Sequence, residues 1–106
     1  MILRQWHGIV PQSKSDAYQE YMLQTGIPDY HSTKGNLGVY FLRRVSDSQA
    51  HFVMLSLWES LDAIKNFTGE DIERAKYYPK DEEFLIELEQ QVLHYEVLLA
   101  PDKGNI

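Results

Sequence analysis

The sequence predicts an α+β domain in which a four-stranded antiparallel sheet carries two helices on one face. Three observations carry that prediction. Bulky and β-branched residues concentrate in four short runs, while apolar residues recur at helical spacing in two others. The two middle runs are separated only by Ser46-Asp47-Ser48-Gln49, a polar turn that joins neighbouring strands as a hairpin. The chain has 106 residues, 43% of them hydrophobic and 25% charged, which is enough for one core and too little for two.

Ile2 to Val10 reads as the first strand, stopped at Pro11. Pro11 to Ser15 is a turn in which Ser13 or Ser15 can cap a helix. That helix runs from about Ser15 to Thr25, with Ala17, Tyr18, Tyr21, Met22 and Thr25 on one side. Gly26 and Pro28 are read as its stop. Gly26 to Asn36 is then a long loop, a plain connection or a lid. Leu37 to Val45 and Ala50 to Trp58 are the second and third strands. Ser60 caps a second helix that buries Leu61, Ile64 and Phe67 and ends at Gly69. Between Glu70 and Leu88, Ile72, Ala75 and Tyr78 predict a short helix stopped at Pro79, with another turn or two over Lys80 to Leu85. The acidic run Asp81-Glu82-Glu83 is expected to cap that turn and face water. Val92 to Leu99 is the last strand; residues 1–99 form the domain and 100–106 a polar tail expected to be flexible.

This βαββαβ order is the split βαβ, or ferredoxin-like, arrangement, with both helices on one sheet face. Yet both faces are apolar. Leu37, Val39 and Phe41 alternate with Tyr40 and Leu42 in the second strand, and Val53, Leu55 and Leu57 with Phe52, Met54 and Trp58 in the third. Two helices cover one face only, so the other is expected to pack against the same face of a second copy, giving a homodimer. The net charge of −6 leaves too few cations for a nucleic-acid surface. With no cysteine, disulfides, thiol nucleophiles and sulfur-ligated zinc are excluded. Apolar runs of four or five residues span no membrane, and the N-terminal stretch is too short and wrongly charged for a signal peptide. The expected location is cytoplasmic.

The element order with two apolar sheet faces resembles the dimeric α/β-barrel superfamily. The segments Trp6-His7-Gly8, Ser56-Leu57-Trp58-Glu59-Ser60, Phe67-Thr68-Gly69-Glu70-Asp71 and Tyr77-Tyr78-Pro79 resemble its antibiotic biosynthesis monooxygenase-like members. That superfamily includes cofactor-free oxygenases of polyketide quinols, haem-degrading oxygenases, quinol oxygenases and small stress-linked proteins. In the haem-degrading branch an Asn on strand one, a Trp on helix two and a following His form the site. By position His7, Phe67 and Tyr77 fall there, and none matches, so the resemblance implies no such haem site. The polyketide oxygenases use an Asn and tryptophans around an acidic phenol; Trp6, Trp58 and Asn66 are of those types.

The residues themselves add two signals. His7 and His94 lie in strands one and four, which the topology makes neighbours, and an imidazole with its ordinary pKa of ~6.5 can take a proton from a phenol at neutral pH. His7 is the expected base and His94 its neighbour, with Asn66 or a tyrosine holding the developing oxyanion. The alternative is a pair of structural histidines. With Glu96 as a third ligand they could hold a metal, but no usual ligand spacing is present, so neither metal nor cofactor is expected. The second signal is aromatic: seven tyrosines, four phenylalanines and two tryptophans. Trp6, Tyr30, Tyr40, Trp58, Phe67, Tyr77 and Tyr78 are expected either to line a pocket for a small aromatic molecule between sheet and helices, or to fill core and dimer seam. Two functions follow: a cofactor-independent monooxygenase of a small aromatic or quinol-type substrate, or a binding or stress-associated dimer without chemistry.

Overall fold

In the computed structural model, which describes residues 1–101, the strands are β1 (Ile2–Pro11), β2 (Asn36–Ser46), β3 (Gln49–Trp58) and β4 (Leu93–Glu96). They form one antiparallel sheet in the order β2-β3-β1-β4, a ferredoxin-like α+β fold. The helices are α1 (Ser15–Gln24), α2 (Gly26–Ser32), α3 (Leu61–Thr68) and the single turn α4 (Asp81–Phe84). The stretch expected as a C-terminal tail, 100–106, lies mostly outside the described residues. Among the described residues no helix is long and apolar enough to cross a membrane.

Alternation in β1 and β3 divides the sheet into two faces. Arg4, Trp6, Val10, Ala50, Phe52, Met54, Ser56 and Trp58 are buried beneath the helices. Leu3, Gln5, His7, Ile9, Val53, Leu55 and Leu57 lie on the opposite face, half-buried only by their neighbours. Tyr40 and Leu42 of β2 and Leu93 and Tyr95 of β4 extend that open face, all exposed. The two-faced sheet is therefore present, with one face bare in a single chain.

Several expectations need correction. Gly26 to Asn36 is not a loop: after a break at Thr25 the chain re-enters a helix, Gly26–Ser32. Pro28 sits in its first turn, where no intrahelical acceptor exists for the missing N–H, so it does not act as a stop. A Cβ at Gly26 would approach the Met22 Cε, the movable tip of that side chain, to 2.6 Å. Ser15 begins α1 rather than capping it, and its hydroxyl accepts a hydrogen bond from Arg43 at 3.0 Å. Ser60 does cap α3, accepting from the Ala63 N–H at 3.1 Å, and Gly69, at φ 83°, ends it.

No helix forms over Ile72 to Tyr78. That stretch is drawn out beside residues 90–92: Ala75 N–H donates to the Gln90 carbonyl and Val92 N–H to the Glu73 carbonyl, both at 2.9 Å. Tyr78 precedes Pro79, which disfavours helix, and its hydroxyl is held by Asp29 at 2.7 Å. Asp81 does not face water but is 1% exposed, accepting from the Tyr18 hydroxyl and the Tyr78 N–H. β4 is shorter than expected because Glu96 already pairs with Ile2; beyond the Val97 bond to the Met1 carbonyl no strand remains to pair with.

Candidate functional site

The rings expected to form a site meet on the helix-facing side of the sheet. Tyr30 from α2 stacks on Phe67 from α3, with centroids 4.4 Å apart and planes at 22°. Trp58 from β3 lies 5.6 Å from Phe67, and Trp6 meets Tyr77 edge to face at 6.4 Å. These elements bring aromatic residues together because α3 carries its apolar stripe on Ala63, Ile64 and Phe67, while α2 turns Tyr30 inward. Trp6, Tyr30, Trp58 and Phe67 are all buried, so the cluster is closed to solvent.

Two cations touch this cluster, and they differ in one respect. Lys76 places Nζ 4.3 Å from the Phe67 centroid and pairs with Asp29 at 2.7 Å, a carboxylate that also accepts from Tyr78. Arg4 places its Cζ 5.5 Å from the same centroid and is 1% exposed. One of its guanidinium nitrogens donates to the Arg74 carbonyl at 3.0 Å, but Nε has no partner. No carboxylate lies within ion-pair distance of Arg4 among the described residues. Across β1, Arg4 is flanked by Ser56 on β3 and His94 on β4, a polar row on an otherwise apolar face. Ser56 is satisfied by the Trp58 indole N–H at 2.8 Å. The buried Nε2 of His94 and Nε1 of Trp6 have no partner among the described residues.

Electrostatics set the protonation states. Burial, then the adjacent Arg4 charge, pushes the His94 pKa below the ordinary imidazole value, so the ring is neutral at pH 7. Burial pushes Tyr30 up to about 12, an effect partly opposed by Arg4. Tyr77 is likewise pushed up to about 12, chiefly by burial. Tyr78 is raised further by burial and its hydrogen bond to Asp29. All three tyrosines are neutral phenols.

The remaining expected residues are not gathered here. His7 points to the open face, where its Nδ1–H donates to the Glu89 carboxylate at 2.7 Å and its Nε2 meets His51 Nδ1 at 3.1 Å, with the two rings stacked at 5.4 Å. The strand-one residue facing the helices is Trp6, and His7, one residue on, faces the opposite side. His94 sits opposite Arg4, three residues from His7, so the two histidines occupy different faces although their strands are neighbours. Tyr40, opposite Leu55, is 44% exposed on the open face. Asn66 donates to the Lys34 carbonyl at 3.0 Å on the surface. Arg4 was missed, although a lone charge in phase with Trp6 and Val10 on a central strand was a readable signal. Lys76, Asp29, His51 and Glu89 gave no such signal, since long-range packing alone assembles them.

Among the described residues no three His, Asp or Glu side chains converge into a metal site. Haem ligated at Tyr77 does not fit either, since that hydroxyl is a neutral donor engaged by the Glu89 carbonyl. A depression of about 290 Å³ lined by Asp71, Arg74, Gln90 and Gln91 lies at the Arg74–Gln91 bridge.

No family model and no curated protein matches the sequence. Solved structures do match in shape. The chain has the fold of a candidate antibiotic biosynthesis monooxygenase from Nitrosomonas europaea, with TM-score 0.67 and 14% identity over 93% of this chain and 100% of that one. A Bacillus cereus protein of the same description gives 0.66 and 18%, over 97% and 98%. The haem degrader MhuD from Mycobacterium tuberculosis, with two haems in its active site, gives 0.65 and 18%, over 96% and 100%. At these identities the likeness is one of fold.

Proposed function

We propose that this protein is a homodimeric, cofactor-independent monooxygenase of a small aromatic, quinol-type molecule bound between sheet and helices in each subunit. One observation carries the reading: a stacked aromatic cluster lies on the same sheet face as a neutral, unpartnered histidine, His94. The fold it shares with monooxygenase-like proteins supports the same reading.

The chemistry needs no external reductant when the substrate supplies both electron pairs. An anthrone-type methylene loses a proton to His94 Nε2, and the resulting electron-rich anion reduces O2. The carbon–oxygen bond then forms as a peroxide, which loses water to leave a carbonyl: CH2 plus O2 gives C=O plus H2O. Trp6, Trp58 and Phe67 stack on the ring and exclude water, and Tyr30 offers a neutral O–H donor to the developing oxyanion, while the hydroxyls of Tyr77 and Tyr78 stay on Glu89 and Asp29. The ligand enters as segment 69–80 lifts; that segment is irregular and held to 90–92 by few backbone bonds. The second subunit covers the open sheet face.

A binding-only role is the second reading, favoured by the closed packing of the rings. Oxygen uptake with anthrone and with hydroquinone separates the two. The expected result is a rate above the uncatalysed one that falls by about 10²-fold in His94→Gln. A background rate on both substrates, with ligand binding retained, leaves the binding module.

A further inference from the structure

We infer that Arg4 is the anion-holding group of this site, and that its ligand is a planar aromatic molecule carrying a carboxylate already ionised when it binds. The inference rests on the proposed ligand site between sheet and helices and names the substrate class that site takes.

A guanidinium stays protonated in proteins, and removing it from water is unfavourable unless a counter-ion or a full set of acceptors replaces the water. Arg4 is 1% exposed, with one carbonyl bond, the neutral Tyr30 phenol beside it, an unpartnered Nε and no carboxylate within reach among the described residues. The contrast lies on the same ring: Lys76, half in solvent, has the carboxylate of Asp29, while the fully buried cation has none. A structural cation would have been paired or replaced by an apolar residue.

The surroundings are arranged for an acceptor. Two donors without partners, Arg4 Nε and Trp6 Nε1, lie on the helix-facing side of β1, and the Nε2 of His94, left free as the base, borders them on β4. Arg4 and Trp6 are successive inward residues of β1, and His94 is the lateral neighbour of Arg4. A carboxylate is acceptor-only and matches the planar guanidinium fork, and its aromatic body would lie against Phe67 and Trp6. A ligand that becomes anionic only during reaction would leave Arg4 uncompensated in the bound ground state.

The test is binding by the full-length protein, read by tryptophan fluorescence and calorimetry. The probes are 2,5-dihydroxybenzoate and 1,4-dihydroxy-2-naphthoate, each against its neutral methyl ester. Wild type is expected to bind at least one acid about tenfold or more tighter than its ester, as a buried charge-assisted pair implies. In Arg4→Met that preference is expected to vanish while the ester binds as before, and the ligand-free melting temperature is expected to stay level or rise. Equal affinity for acid and ester, an acid affinity unchanged in Arg4→Met, or no binding of either overturns the inference. If Arg4→Met does not fold, the acid-to-ester ratio of the wild type decides. Acid-selective binding without oxygen uptake would overturn the oxygenase reading and leave this one standing.

Discussion

Truncating Phe67 to alanine tests whether the aromatic cluster is one packed unit. The ring is 5% exposed, stacked on Tyr30 at 4.4 Å and 5.6 Å from Trp58. Deleting a buried phenyl removes its transfer free energy and leaves a cavity, together about 3–5 kcal/mol. Two further losses push toward the upper half of that range. The stack with Tyr30 disappears, and Arg4 loses the ring beneath it while Lys76 keeps Asp29. At ~4 °C per kcal/mol for a domain of this size, the melting temperature should fall by roughly 15–20 °C. Phe67→Leu, which keeps most of the volume, should lose only about 1–1.5 kcal/mol. Urea titration followed by tryptophan fluorescence reports both, with protomer concentration fixed because association contributes to stability. A loss below ~1 kcal/mol for Phe67→Ala would mean the ring is not part of the core, and the account of the cluster would fall with it.

Three other outcomes are expected. Leu55→Glu places a charge at the centre of the open face, opposite Gln5 and Tyr40; sedimentation should change from about twice the 12.4 kDa chain mass to the monomer, and a wild-type monomer at micromolar concentration would refute the two-face argument. His94 has a folded-state pKa below 6.5, lowered first by burial and then by Arg4, with Glu73 opposing, so the unfolded chain takes up that proton first. Its contribution is therefore full above pH 6.5 and lost as pH falls toward the folded value; His94→Gln should flatten that slope in denaturation curves, and an unchanged slope would contradict the burial. His7→Gln should leave oxygen uptake intact, since His7 lies across the sheet from the rings, and a ~100-fold fall would show that the helix-facing side is not where the reaction occurs.

Strand order and the division of the sheet were legible because alternation in β1 and β3 is nearly unbroken. Helix ends were legible where a local rule decided them, as with Ser60 and Gly69. Reading failed where a local signal had two meanings. Gly26 and Pro28 look like a stop, yet both fall in the first turn of α2, where proline's missing N–H forfeits no intrahelical bond. Ile72, Ala75 and Tyr78 have helical spacing, but bonds from Tyr78 to Asp29 and from Ala75 to Gln90 hold the chain extended. At the site, the ring set Trp6, Tyr30, Trp58, Phe67, Tyr77 and Tyr78 was readable as a composition. The pairing of His7 with His94 was not, because strand adjacency says nothing about facing until the register is fixed.

That register has a consequence for how a ligand reaches Arg4. β1 sends Arg4 and Trp6 toward the helices and Gln5 and His7 toward the open face, so a single strand serves two surfaces. A second copy on the open face would cover Leu55, Tyr40 and the His7–His51–Glu89 cluster without touching the ring cluster. In the proposed dimer, association and ligand binding would be separated by the thickness of one sheet. Entry through the dimer seam would require a molecule to pass between hydrogen-bonded strands, which the continuous β3-β1 ladder forbids. On the helix side, α2 and α3 are locked together by the Tyr30–Phe67 stack, whereas segment 69–80 is joined to α2 by the Lys76–Asp29–Tyr78 contacts and elsewhere by bonds from Arg4, Tyr77 and Lys80 and two backbone bonds to 90–92. Loosening Asp29 should therefore open the site: Asp29→Asn should speed ligand association while leaving the dimer intact, and an unchanged on-rate would place the entrance elsewhere.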